Sequence, residues 1–375
     1  MKQIQFLPFL LLITNASPTP ILGSGSLPDL LGSLFPGLLD PDDGSDIVPG
    51  PSPDPDPGST SEPIPSLQGY ALTWHDEFTY QSLDSSTNNN NENNDSHLPH
   101  SSNWIFDTGT SYPSGASNWG NNELQTYTTS PSNIRVTESN TLQIIPRYEA
   151  NTGTGTGTGE GEGHWTSARV ETTDSTFHAF PGQKLYIESR LRTGCAPPEQ
   201  QHGIWPAFWA LGASFRADPT HWPMASEWDI VEVVNGEPTV YNTLHCGTET
   251  REGGPCNEYT GLGNGGVGWG GCDWHVVGFE VDRSVADSGG GGGGGGRWEG
   301  EMLRWLLDGE QVHTVSGADV GDEQVWESVA HQGHFLLLNV AVGGNWPGYP
   351  DENTLDGEDV ALEVDYVRVW NSLDS

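Results

Sequence analysis

From Gly69 onward the chain is a series of short β-rich runs separated by turn residues, and no long amphipathic helical period interrupts them. TLQIIP (Thr141 to Pro146), KLYIESRLR (Lys184 to Arg192), HVVGFEVD (His275 to Asp282), HFLLLNVAV (His334 to Val342) and ALEVDYVRVW (Ala361 to Trp370) are examples. β-Branched and aromatic side chains favour a pleated strand. Short strands without covering helices bury their apolar faces against one another, so the expected fold is all-β, two packed antiparallel sheets in one domain. Three low-complexity tracts break the pattern: the Asn-rich run near Asn88 to Asn94, TGTGTGTGEGEG (Thr152 to Gly163) and the glycines from Gly289 to Gly296. They read as surface insertions, because lengthening a loop adds little closure entropy. A Gly-rich phosphate cradle needs a strand-to-helix context and a following Lys, and neither is present.

Within this pattern, SEWDIVEVVN (Ser226 to Asn235) sets a puzzle of parity. Residues two apart on a strand share a face, so Glu227 and Asp229 point the same way while Glu232 falls on the opposite face. There it would lie beside Trp228 and Ile230, where an unpaired carboxylate costs several kcal/mol or is forced neutral. An extra residue at Ile230 or Val231, a β-bulge, resets the parity and brings Glu227, Asp229 and Glu232 onto one face. Trp228, one of the bulge pair and Val233 then face the core. Two glutamates flanking an aspartate in a groove suit glycosidic bond cleavage: one carboxyl donates a proton to the leaving oxygen, the other attacks or activates water. The plainer reading of alternating acids is a solvated edge, and only the surroundings choose between the two.

Charge narrows the choice of partner. The chain holds 13 Lys+Arg against 51 Asp+Glu, a formal net charge of −38, with Lys only at Lys2 and Lys184. So acidic a surface repels nucleic acid, anionic membranes and anionic polymers, and a neutral substrate fits better. The 15 Trp serve a sandwich core or, where exposed, a platform for a sugar ring.

The N-terminus reads as a secretory leader over residues 1–16: Lys2, an apolar run from Phe6 to Ile13, and the small-residue site Thr14-Asn15-Ala16. The run is too short to span a bilayer, and no second stretch qualifies. Residues 17–68, rich in Pro, Asp, Gly and Ser, form a linker or stalk that cannot build a core, and residues 69–375 form the catalytic sandwich. In an oxidising setting Cys195, Cys246, Cys256 and Cys272 imply one or two disulfides rather than zinc, since no C-x2-C spacing occurs. Three pairings are open; Cys246 with Cys256, closing a short loop after the acidic strand, is favoured. Asn94-Asp95-Ser96 is a glycosylation acceptor.

Six segments in order carry a resemblance: LTWHDEFT (Leu72 to Thr79), WGNNELQTYT (Trp119 to Thr128), TSARVET (Thr166 to Thr172), GIWPAFWALG (Gly203 to Gly212), LNVAVGGNWPG (Leu338 to Gly348) and VDYVRVW (Val364 to Trp370). With the bulged E-x-D-x-x-E of Glu227, Asp229 and Glu232, the chain resembles glycoside hydrolase family 16, in particular the secreted fungal endo-1,3(4)-β-glucanases of laminarinase type. The resemblance implies a concanavalin A-like jelly roll with its cleft on the concave face, a β-glucan substrate, and a retaining double displacement. It makes Glu227 the nucleophile, Glu232 the general acid/base and Asp229 the assisting carboxylate. It also implies substrate contacts at Trp222 and His245, with Trp119, Asn121, Glu123, Arg169 and Trp346 as weaker candidates. Arg169 reads equally as a structural ion-pair partner. No cofactor or catalytic metal is expected; Asp365 stands where some relatives hold a structural calcium on the convex side.

Departures from the family pattern are the insertions, the stalk, and Trp228 where Ile or Leu is commoner. The expectation is a secreted monomeric endo-β-glucanase. A cell-wall β-glucan transglycosylase is the alternative within the same chemistry, and a non-catalytic β-glucan-binding lectin the alternative outside it. Such lectins typically lack the glutamates kept here.

Overall fold

The computed structural model describes residues 64–79, 97–150, 163–284 and 298–373. The leader, the stalk up to residue 63, the Asn94 acceptor and the low-complexity tracts, Gly163 excepted, lie outside the described residues.

Two eight-stranded antiparallel sheets dominate. The acid-bearing sheet runs Leu262–Gly263, Thr239–His245, Glu227–Glu232, Ile204–Gly212, His334–Val342, Arg169–Thr172 and Trp104–Asp107, with Val267–Gly268 also paired to Thr239–His245. The facing sheet runs Glu310–Ser316, Met302–Leu307, His275–Asp282, Lys184–Arg192, Leu362–Ser372, Leu142–Ile144 and Ile134–Val136, with Tyr70–Asp76 on the outer part of Leu362–Ser372. A small third sheet joins Thr126–Tyr127, His164–Ser167 and Arg147–Glu149. Lys184–Arg192, His275–Asp282 and His334–Val342 coincide with the strands expected from sequence. Helix is confined to short turns such as Gly317–Val320 and Glu323–Trp326.

Alternation explains how one strand serves two layers. Every residue of His334–Val342 is buried, which for a sheet strand means cover on both faces. Leu336, Leu338, Val340 and Val342 join the main core between the sheets. Phe335 and Leu337 point the other way, into a second cluster with Leu211, Phe215 and Ala225. This second cluster lies on the acid face and floors one end of it. Trp228 is fully buried in the main core, its ring stacked on His334 with centroids 3.5 Å apart. The bulk that sets it apart from Ile or Leu therefore faces the core. Trp305, from the facing sheet, donates its indole N–H to the backbone oxygen of Asp229 at 2.8 Å, tying the two layers directly beneath the acids.

Cys246 and Cys256 are bonded, the favoured pairing. Cys195 and Cys272 are unbonded but adjacent, each thiol within hydrogen-bonding reach of the other.

Candidate active site

The bulge lies where parity demands it. Against Thr239–His245, Asp229 faces Thr243 and Glu232 faces Tyr241, so two residues of the acidic strand oppose Asn242 alone. Against Ile204–Gly212, Val231 faces Phe208 and Asp229 faces Trp209, which leaves Ile230 as the residue without an opposite number. Both Ile230 and Val231 are buried in the main core, whereas a single bulge residue was expected to face it. An extra apolar side chain fits because the ladder is locally opened. The amide of Asn242 donates to the freed carbonyl of Ile230 at 2.7 Å, satisfying a backbone group the bulge would otherwise orphan.

The three acids are thereby brought into one electrostatic group. Glu227 accepts from the Trp222 indole at 3.1 Å, and Glu232 accepts from the Trp205 indole at 3.2 Å. Asp229 is buried between them, and one of its carboxyl oxygens has no hydrogen-bond partner. Burial first, then the charges of Glu232, Glu227 and Glu258, hold the Asp229 carboxyl far above the usual carboxylate range, so it keeps its proton. Burial and the charge of Glu227 push Glu232 up to about 7, against the pull of His245 and the Trp205 hydrogen bond. Burial and the charge of Glu258 also raise Glu227, while His245, the Trp222 bond and Arg169 oppose the shift. Neighbouring carboxyls with different partners are how one site comes to hold an acid and a base together.

His245 lies opposite Glu227 in the ladder. Its Nε2 is 3.5 Å from Asp229 and its Nδ1 is 2.8 Å from Glu258. Burial lowers its proton affinity, but the Glu258 bond and the charges of Glu227, Glu258 and Glu232 outweigh that and raise it. Glu227, Asp229 and His245 place ligand-type atoms within 4.8 Å of one another.

Aromatic rings extend the site on both sides. Trp222 stacks parallel on Tyr259, centroids 6.0 Å apart, and lies 5.5 Å from His245. On the Glu232 side, Trp346 is 45% exposed and sits edge-on to Trp205 and Tyr241. Trp205, Tyr241, Glu258 and Tyr259 were not among the expected site residues. Trp205 was within reach, being in the strand segment GIWPAFWALG, but nothing local marks Glu258 or Tyr259.

The remaining candidates are placed differently. Arg169 is only 5% exposed, bonded to Asp107 at 2.9 Å and to the Tyr112 hydroxyl at 2.7 Å, with Trp119 and Trp209 rings against its guanidinium. It is a packed ion-pair partner whose charge reaches Glu227 through space. Trp119 shares that cluster, and a cavity of about 440 Å³ lined by Phe106, Asp107, Tyr112 and Trp119 opens beside it rather than over the acids. Asn121 donates to Glu123, which is itself buried. Asp365 accepts from Arg190 at 2.9 Å, and the neighbouring Glu77 is held by Arg368 at two points.

A two-sheet sandwich carrying paired glutamates with unlike partners on one face is the build of a glycoside hydrolase. No protein-family model matches the chain. Among solved structures, it is similar to the endo-1,3-β-glucanase of Streptomyces sioyaensis at 34% identity and a TM-score of 0.69, covering 84% of this chain and 100% of that one. It is also similar to the endo-β-1,3-glucanase of Pyrococcus furiosus, at 27% identity and a TM-score of 0.57, over 82% and 96% of the two chains. A β-glucanase of Rhodothermus marinus is 29% identical over 80% of this chain and 85% of its own. The chain belongs to glycoside hydrolase family 16, among its laminarinase-like members. These relatives are bacterial or archaeal and do not carry the fungal placement expected from the motifs.

Proposed function

We propose that the protein is a secreted endo-β-glucanase that hydrolyses internal β-1,3 or β-1,4 bonds of a neutral β-glucan by a retaining double displacement. The observation that carries this reading is the bulge at Ile230, which turns Glu227 and Glu232 to one face with unlike surroundings. Relatives named as endo-1,3-β-glucanases support the substrate class. Glu227 attacks the anomeric carbon as a carboxylate while Glu232, protonated in mildly acid solution, passes its proton to the leaving oxygen. Glu232 then draws a proton from water, which hydrolyses the glycosyl-enzyme. Asp229, held protonated between them, adds no charge of its own and so limits the repulsion within the group. Trp222 and Trp346 offer faces for sugar rings on either side of the cleaved bond.

Secretion is proposed from the leader and agrees with the Cys246–Cys256 bond. Placement among the fungal endo-1,3(4)-β-glucanases rests on the sequence motifs alone, and a monomer without nucleic-acid or membrane partners is proposed from the charge of −38. Release of reducing ends from laminarin and barley β-glucan is the test. Glu227→Gln and Glu232→Gln should each lose about 10³-fold or more on an unactivated substrate. Unchanged hydrolysis in both variants eliminates the mechanism. Product that accumulates as longer chains rather than new reducing ends identifies a transglycosylase, and binding without either identifies a lectin.

A further inference from the structure

The loop after the histidine strand contributes a group that no motif announces. Glu258 is 2% exposed, and its carboxylate accepts from two donors: the Nδ1–H of His245 at 2.8 Å and the backbone N–H of Cys246 at 2.9 Å. The Cys246–Cys256 bond closes the loop immediately before it. Gly261, with φ +74°, lets the chain return across Thr243 and His245, where a Cβ would come within 2.4 Å of the Thr243 methyl and 2.9 Å of the imidazole. The residue after Glu258, Tyr259, is the ring stacked on Trp222, whose indole donates to Glu227.

We propose that Glu258 is a positioning residue for the reaction, acting through His245: it fixes the imidazole so that Nε2–H is presented to Asp229 and a positive charge is held beside Glu227. This deepens the reading of Glu227 and Glu232 as the reacting carboxyls and rests on it. The groups facing the imidazole are Glu258 from the loop, Glu227 and Asp229 from the adjoining strand and Glu232 further along it, and Arg169 adds positive charge toward Glu227. Among these, Glu258 is the partner that makes a direct hydrogen bond to Nδ1. A carboxylate there stabilises the doubly protonated ring, and the imidazolium opposes the crowding of Glu227 by its acidic neighbours, favouring the carboxylate form that attacks.

Glu258→Gln separates charge from geometry. The amide oxygen still accepts from the Cys246 N–H, while the amide N–H faces Nδ1 and can only pair with its lone pair, so the variant selects a neutral imidazole protonated at Nε2. In the full-length enzyme the His245 titration followed by NMR should move to lower pH. The kcat on laminarin should fall by about 10-fold or more with KM within about twofold. The acid limb of the kcat profile should move to higher pH, since His245 opposes protonation of Glu227 more strongly than Glu258 promotes it. Wild-type kcat and acid limb in Glu258→Gln, or an unmoved His245 titration, overturns the proposal. Should the variant fail to fold, the wild-type titration decides: His245 losing its proton below the range of a free imidazole also overturns it. Loss of activity in Glu227→Gln with no change in Glu258→Gln would sink this inference alone. Retained activity in Glu227→Gln would sink the reading of the site beneath it.

Discussion

Glu232 carries the sharpest consequence of the site's electrostatics. Its carboxyl, pushed up to about 7 by burial, is an acid throughout the mildly acid range and a carboxylate above it, so hydrolysis should decline as pH rises through about 7. Trp205 donates to the ionised form and so pulls the other way. In Trp205→Phe the alkaline limb of kcat/KM should therefore move to higher pH; an unmoved limb would mean that another group sets it. Stability shows the opposite face of the same shift. A carboxyl raised on folding supports the folded state fully below its unfolded value, near 4.5, and that support is lost as pH rises toward 7. Glu232→Gln, a mimic of the protonated form, should thus be more stable than wild type at pH 8 by about 1–2 kcal/mol, after discounting for a half-buried group, and no more stable at pH 4.5. Urea midpoints at the two pH values would check this.

The bulged strand is the element on which the site depends. Deleting Ile230 leaves Glu232 two positions from Asp229, so regular alternation keeps all three acids on one face, but it removes a buried side chain from the main core and the carbonyl that Asn242 satisfies. A loss of about 2–5 kcal/mol of stability is the expected outcome, whereas Ile230→Val should cost only about 1 kcal/mol and keep activity. Urea midpoints check this, and a deletion variant as stable as wild type would show that Ile230 contributes nothing to the packing. A turn near Thr193 holds the two remaining cysteines side by side. The Thr193 hydroxyl donates to the Gly271 carbonyl at 3.1 Å, bringing Cys195 and Cys272 together. In a medium holding a disulfide oxidant, these thiols should close a second bridge, each losing one hydrogen to the oxidant. Thiol titration of unfolded, unreduced protein matured in that medium should then find no free sulfhydryl, and two would contradict it.

Charge acts on the molecule as a whole. At a net −38 the protein repels any anionic polymer within a Debye length, about 10 Å at 0.1 M salt. The KM for neutral laminarin should therefore be nearly flat with ionic strength. For a carboxymethylated glucan it should fall as salt is added. Equal salt responses would show that the acidic surface plays no part in substrate choice. Cations are few, and among the described residues they are spent on the acids nearest the sheets: Arg190 on Asp365, Arg304 on Asp282, Arg368 on Glu77, Arg169 on Asp107.

Much of this was legible along the chain. The strands Lys184–Arg192, His275–Asp282 and His334–Val342 follow from β-branched runs, and the bulge follows from the parity of Glu227, Asp229 and Glu232, because side-chain alternation is a local property of the backbone. The Cys246–Cys256 pairing was favoured for the short loop it closes. What the chain did not reveal were contacts across strands and from loops: Trp205 on Glu232, Trp305 beneath Asp229, and Glu258 on His245. Arg169 illustrates the same limit, since its type fitted a groove or a packed ion pair equally and only its neighbours decided. Local periodicity determined which face each acid occupies. Which proton each acid holds was decided by tertiary structure alone, because burial and the charge of distant residues set it, and neither is a property of neighbours in sequence.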